Sequence, residues 1–137
     1  MASSSGKKSG LRIRSVLNEE VANAPHYEVL VEYQGIRVEF EDIYFDTQQE
    51  LKERLDWFAN NRNNSIKLDG GLRFQIELIG KWNGALDIKF ALEKSPPSFP
   101  GKLALEGMFE IEGEMVNDVI VSLQELFFEG KEFQLEE

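Results

Sequence analysis

The side chains that could perform acid–base chemistry in this chain are one histidine and a group of glutamates. His26 is the single histidine of the 137 residues, so a Ser-His-Asp triad would have to use it. It follows Pro25, and nothing nearby has the pattern of a strand-to-helix nucleophile elbow. Glu28, Glu39 and Glu41 share one predicted strand face, but glycosidase carboxylates usually lie in an aromatic-lined cleft, which this face lacks. The residues therefore favour a protein that is not an enzyme.

Cofactor and metal chemistry also find little support. The chain has no cysteine, which excludes thiolate zinc sites and iron–sulfur clusters, and one histidine excludes sites that need two imidazoles. Gly70-Gly71 and Gly80…Gly84 lack the spacing of a phosphate-binding loop. Asn60–Asp69 lacks the acidic spacing of an EF-hand, although a calcium site built from Asp and Glu stays open. We expect neither a cofactor nor a metal site.

The charge of the chain indicates the class of partner. Twenty-five acidic and fifteen basic residues give a net charge of −10, which repels phosphate and argues against a nucleic-acid partner. A basic protein partner fits better, and the alternative is an acidic surface that only keeps the protein soluble. No apolar run approaches the roughly 20 residues that cross a bilayer, and no apolar stretch follows Lys7 and Lys8 as in a secretory signal. We expect a soluble, cytoplasmic protein without a membrane partner.

A β-hairpin in the first third of the chain gives the first candidate site. Tyr27–Tyr33 and Ile36–Asp42 both alternate apolar and polar residues, and Gln34-Gly35 between them suits a two-residue turn. This register places Glu28 directly opposite Glu41, and opposed carboxylates repel unless water, a cation or a basic partner relieves them. The acidic face predicted to meet a basic partner comprises Glu28, Glu39 and Glu41.

Two helices are expected from apolar positions that recur every three or four residues. The first begins at one of two overlapping capping boxes, Asp46 to Gln49 or Thr47 to Glu50, and carries Trp57 at the rim of its apolar stripe. Its inward residues are Leu51, Leu55 and Phe58. The second runs from about Glu114 to Glu129 and ends at Gly130. It should bury Val116, Val119, Ile120, Leu123 and Phe127.

A second hairpin provides the other candidate anchors. Asn83-Gly84 favours a two-residue turn, but that turn would place the apolar sets of its two strands on opposite faces. An odd-numbered loop within Gly80–Gly84, or a bulge, instead pairs Leu78 with Leu86 and leaves Trp82 near the tip. The same register pairs Ile76 with Ile88. Trp82, and Phe99 in the proline-rich loop Glu93–Lys102, find no obvious place in the core, so each either anchors a partner or folds back over a sheet edge.

The order of these elements predicts an α+β fold. The remaining strands are expected at Leu11–Leu17, Ser65–Leu68, Leu72–Ile79, Ala85–Leu92 and Leu103–Glu112. Because hairpins dominate the connections, we expect a mainly antiparallel sheet of six or seven strands with both helices packed on one face. Residues 1–10 should be a disordered tail, 11–130 a single domain and 131–137 an acidic C-terminal tail.

The same order of elements resembles a known group of proteins. The residues that carry the resemblance are Phe45–Leu51, Gly71–Phe74, Ala85–Phe90, Phe109–Ile111 and the Met115–Leu126 helix. This pattern looks like small immunity proteins of bacterial polymorphic toxin systems, including the WapI-type group. The resemblance implies a cytoplasmic, non-enzymatic protein that binds and blocks a cognate toxin domain, and it assigns no interface residues. The alternative is a structural or regulatory adaptor that recruits a partner through its acidic face or a sheet edge.

Overall fold

The computed structural model describes residues 9–16, 26–45, 48–71, 73–94, 101 and 103–136. Its elements in chain order are β1 Gly10–Val16, β2 His26–Tyr33, β3 Ile36–Ile43, α1 Gln48–Asn60, β4 Ser65–Asp69, β5 Phe74–Gly80, β6 Leu86–Lys94, β7 Leu103–Ile111, α2 Gly113–Glu129 and β8 Phe133–Glu136. The α+β class is confirmed. The single sheet of six or seven strands is wrong, because the described strands form two antiparallel sheets of four, ordered β3-β2-β1-β8 and β4-β5-β6-β7.

The chain divides into two compact units. Unit 1 comprises Met1–Tyr44 and Ser122–Glu137, and unit 2 comprises Phe45–Val121. The division falls within α2, whose N-terminal half belongs to unit 2 and whose C-terminal half belongs to unit 1. Each unit contains one of the two four-stranded sheets.

In unit 1, inward residues alternate along the strands as the hairpin pattern predicts. Tyr27 is buried and meets the ring of Phe127 from α2 edge-on, with the ring centroids 5.5 Å apart. Burial raises the pKa of the Tyr27 hydroxyl, because a phenolate is poorly solvated there. The other buried residues of this sheet are Leu11, Ile13, Val29, Val31, Val38, Phe40, Ile43 and Phe133.

The hairpin of β2 and β3 follows the expected register over most of its length. Gln34 and Gly35 both have positive φ, 52° and 86°, as a two-residue hairpin turn requires. Val29 pairs with Phe40, but Tyr27 pairs with Ile43, so one extra residue lies on β3 between these pairs. Glu28 therefore faces the bulge that contains Glu41 and Asp42, so two residues stand opposite it in place of the expected one-to-one pair with Glu41. The physical reason is that Phe40 and Ile43, three residues apart, are both buried, which a β-bulge allows and a regular strand does not.

Both ends of unit 1 are more structured than the composition suggests. Residues 1–8 lie outside the described residues, but Ser9 is buried and β1 already begins at Gly10. The expected acidic tail over residues 131–137 is wrong for Phe133–Glu136, which form β8 and pair with β1, with Phe133 opposite Ile13. Phe133 and Leu135 alternate with polar residues, a strand signal that the surrounding charges obscured.

The predictions for both helices are confirmed. Leu51, Leu55 and Phe58 of α1 are buried, and Arg54 on the same helix donates a hydrogen bond of 3.2 Å to the carbonyl of Lys67 in β4. The predicted inward residues Val116, Val119, Ile120, Leu123 and Phe127 of α2 are likewise buried. Asp46 and Thr47 lie outside the described residues, which leaves the two capping boxes as alternatives. Gly130, with φ of 73°, follows the end of α2 as expected.

The hairpin of β5 and β6 has the predicted odd-numbered loop but different strand pairs. The loop is Lys81–Ala85, five residues long, so the apolar residues of both strands lie on one face. Leu78 pairs with Ile88 rather than Leu86, and Ile76 pairs with Phe90 rather than Ile88. The observed register differs from the predicted one by two residues, and because side chains alternate with a period of two, both registers place the apolar residues on one face.

Candidate protein-binding site

Trp82 lies at the tip of the β5–β6 hairpin with 91% of its surface exposed. The strand register predicted its place near the tip, and its exposure is the largest of any bulky apolar side chain that the structure describes. When a partner covers a large apolar side chain that is exposed to water, the burial of its apolar surface stabilises the complex. The hairpin tip, which we define as Lys81–Ala85, is thus a candidate anchor for another protein.

Short hydrogen bonds within the hairpin tip hold its backbone in one conformation. The amide of Lys81 donates to the carbonyl of Ala85 at 2.9 Å, and the amide of Gly84 donates back to the carbonyl of Lys81 at 3.0 Å. The side-chain oxygen of Asn83 accepts from the amide of Ala85 at 3.1 Å, as Asn commonly does in turns. Gly84 has φ of 86°, a left-handed conformation that favours glycine. Trp82 is therefore presented from a fixed loop.

The base of the hairpin tip is packed against the turn that follows α1. The amide of Gly80 donates to the carbonyl of Asn64 at 2.8 Å. A Cβ atom placed on Gly80 would lie 1.5 Å from the carbonyl oxygen of Arg62, far inside the contact distance of any side chain. Only glycine fits this approach, so the identity of residue 80 is set by packing.

One ion pair ties the hairpin tip to β6. Lys81 Nζ lies 3.2 Å from Asp87 Oδ1, and the Asp87 side chain is only 13% exposed. Oδ1 has no hydrogen bond of acceptable geometry among the described residues, so the contact is an ion pair by distance alone. The ammonium group therefore compensates a carboxylate that would otherwise be buried without a counter-charge.

The hairpin tip adjoins a group of carboxylates at the end of β7 and the start of α2. A Cβ on Gly113 would lie 3.4 Å from the carbonyl oxygen of Gly84, so the two chain segments touch. Asp87 is paired with Glu110 across β6 and β7, which places two carboxylates opposite each other. We define the acidic rim as Glu110, Glu112 and Glu114, all of which are exposed. Sequence reasoning missed this rim, because the contact of Gly84 with Gly113 joins segments that no local pattern relates.

The acidic face predicted on unit 1 is a face of mixed charge. Arg14 from β1 forms an ion pair with Glu28 at 2.5 Å, and Arg37 forms one with Glu39 at 2.9 Å. Glu41 is exposed and has no ion pair among the described residues. Glu28, Glu39 and Glu41 do line a common shallow groove, as expected, but arginines of the same chain lie between them. A binding role for these three residues stays a prediction.

The remaining candidate residues lie elsewhere or outside the description. Phe99 falls outside the described residues. Trp57 is 48% exposed and lies beside Ile66 and Arg54, consistent with the expected rim position on α1. The ring centroids of His26 and Tyr44 are 6.0 Å apart, with the two rings tilted by 48°. Across the described ranges, no three histidine, aspartate or glutamate side chains gather as metal ligands.

The comparisons with known proteins assign no family. No protein-family model, curated protein or solved structure matches the chain. Within the part of the chain that the structure describes, neither helix has the length and apolar character needed to cross a bilayer.

Proposed function

We propose that this protein is a non-enzymatic binding protein that uses Trp82 as its main anchor. The observation that carries the proposal is the 91% exposure of an indole ring on a loop that hydrogen bonds and close packing hold in place. A partner that covers this ring buries its apolar surface, which stabilises the complex. Because the loop is already ordered, little conformational entropy is lost on binding.

The specific form of the proposal is an immunity protein that neutralises a basic toxin domain in the bacterial cytoplasm. The net charge of −10 supports a basic partner, since electrostatic attraction accelerates association with a positively charged protein. The resemblance of the element order to immunity proteins of polymorphic toxin systems supports the biological role. The same charge disfavours a nucleic acid as the partner.

Site-specific photo-crosslinking tests the proposal. In one variant of the 137-residue chain, the photoreactive residue benzoylphenylalanine replaces Trp82. In a second variant of the same chain it replaces Trp57, an aromatic residue of lower exposure on α1. We expect crosslinks to one defined protein from position 82 and far fewer from position 57. Equal labelling from both positions, or none from position 82, would contradict the proposal.

The biological role has its own readout. If the crosslinked protein carries a toxin domain, cells that express this domain should survive with the parent chain and die with the Trp82→Ala variant. A crosslinked partner without toxic activity would point instead to an adaptor. That outcome would leave the anchor role of Trp82 intact and overturn only the immunity role.

A further inference from the structure

We infer that the acidic rim and Trp82 form one partner-facing surface, and that the partner carries an apolar pocket bordered by lysine or arginine side chains. This inference rests on the proposed function and specifies the chemistry of the partner at that site. It assigns recognition to Glu110, Glu112 and Glu114, three residues that neither the charge pattern nor the resemblance had singled out.

The acidic rim lies next to the hairpin tip. Gly84 is two residues from Trp82, and its carbonyl oxygen faces Gly113, the first residue of α2, which lies between Glu112 and Glu114. The third rim residue, Glu110, is joined to the hairpin through its cross-strand pair with Asp87. The rim is therefore close enough to Trp82 for one protein partner to contact both, because a standard interface covers about 800 Å² on each side.

The carboxylates of the acidic rim have no ion pairs within the described residues. No basic side chain in the described ranges forms an ion pair with Glu110, Glu112 or Glu114. Lys81, the basic residue of the hairpin tip, has its charge offset by Asp87. Arg62 donates from its guanidinium to the carbonyl of Ala59 and to the side-chain oxygen of Asn117, at 3.1 and 2.9 Å, and not to a carboxylate.

Glu110 stands in an unfavourable cross-strand pair. Like charges directly opposed in a sheet destabilise it, and Glu110 stands opposite Asp87. Lys81 forms an ion pair with Asp87 and offsets part of this repulsion, but no basic side chain of the described residues forms an ion pair with Glu110 itself. A lysine or arginine from a partner would relieve this repulsion, which an uncharged or acidic partner would not. The helix dipole already stabilises the carboxylate of Glu114 at the start of α2. A basic partner would therefore stabilise the carboxylates of Glu110 and Glu112 most.

The inference is tested by adding charge reversals to the photoreactive protein. With benzoylphenylalanine at position 82, one variant carries Glu110→Lys and Glu112→Lys. The control carries Glu32→Lys and Glu136→Lys, two exposed glutamates of unit 1 outside the acidic face, so both variants change the net charge by the same amount. Circular dichroism and thermal melting verify that each variant is folded.

We expect the rim variant to reduce the initial rate of crosslinking on the order of tenfold at low salt, because steering by local charge has that scale. The difference in crosslinking rate between the rim variant and the parent should become smaller at about 0.5 M salt, where charges are screened over a few ångströms. The control should retain the parent rate, and the crosslinked peptide of the partner should lie among lysines or arginines.

Two results overturn the inference while the proposed function stands. One is an unchanged crosslinking rate in the rim variant, and the other is an equal loss in the rim and control variants, which would show that only net charge matters. Failure of the parent protein to crosslink from position 82 is a different result, because it overturns the proposed function and this inference together.

Discussion

The outer face of unit 1 and the hairpin tip of unit 2 both carry carboxylates, but the chain treats their charges differently. On unit 1, Glu28 and Glu39 form ion pairs with Arg14 and Arg37. Beside the hairpin tip, Lys81 is paired with Asp87, and no basic side chain of the described residues forms an ion pair with the acidic rim. A carboxylate that is already paired with an arginine of the same chain attracts a basic partner only weakly. The comparison teaches that a binding surface is better located by unpaired charge beside an exposed anchor than by counting acidic residues.

The largest expected effect concerns the frame of unit 1. Phe133→Ala removes a fully buried side chain from β8 and should lower the free energy of unfolding by about 3–5 kcal/mol. Denaturant melting measures the change, with the exposed neighbour Gln134→Ala as control. A loss below about 0.5 kcal/mol for Phe133→Ala would show that β8 is a loose tail and that the charged face of unit 1 lacks a fixed edge.

The next effect concerns the frame of the hairpin tip. Gly80→Ala forces a methyl group onto the carbonyl of Arg62 and should cost about 2–3 kcal/mol, near the upper end for overpacking. Gly71→Ala is the matched control, because nothing lies within 4 Å of its Cβ position and only its φ of 82° is strained, at about 1–2 kcal/mol. If thermal melting shows Gly80→Ala to be the milder change, the tip is not held against the Asn64 turn.

The anchor itself should matter for binding and hardly at all for folding. Trp82→Ala should change the free energy of unfolding by about 0.5 kcal/mol or less, because the ring has few contacts to lose. It should weaken partner binding by about 2 kcal/mol or more. Isothermal titration calorimetry with the purified partner that crosslinking identifies measures the change in binding free energy. A variant that melts far below the parent protein would place the indole in the core and remove it from the binding surface.

The smallest effect is expected on the outer face of unit 1. Changing Glu28, Glu39 and Glu41 together to Gln removes two surface ion pairs and should destabilise the protein by no more than about 1 kcal/mol. Glu28 faces the bulge in β3 and has no regular pair there, so no gain in stability is expected. If stopped-flow mixing shows association with the partner slowed as much as by reversal of the acidic rim, unit 1 also faces the partner and the contrast between the two regions fails.

Local patterns predicted most of the elements. The three- and four-residue spacing identified the buried stripes of α1 and α2, and a two-residue period identified the strands from β1 to β7. Register arguments also predicted that Trp82 would lie near the tip of a turn, because an even loop would have split the apolar faces of β5 and β6. These successes share one cause, since each depends on residues within a single helix or hairpin.

What the sequence could not supply depends on contacts between distant segments. The association of β8 with β1 joins the two ends of the chain, and no hairpin rule predicts it. The bulge in β3 shows only as the unusual spacing of Phe40 and Ile43. The acidic rim reaches the hairpin tip through the contact of Gly84 with Gly113. The division into two sheets is of the same kind, because each hairpin is compatible with either arrangement.

The close approach at Gly80 also provides a way to recognise relatives of this protein. A residue that only glycine can occupy, followed by a loop that needs a left-handed residue at Gly84, restricts which substitutions the hairpin accepts. We expect homologues to keep glycine at positions 80 and 84 even where the strands around them have diverged. Where the binding role is retained, an aromatic residue should stand between these two glycines, at the position of Trp82. Chains that keep both glycines but carry a small polar residue there would have kept the hairpin and changed or lost the partner.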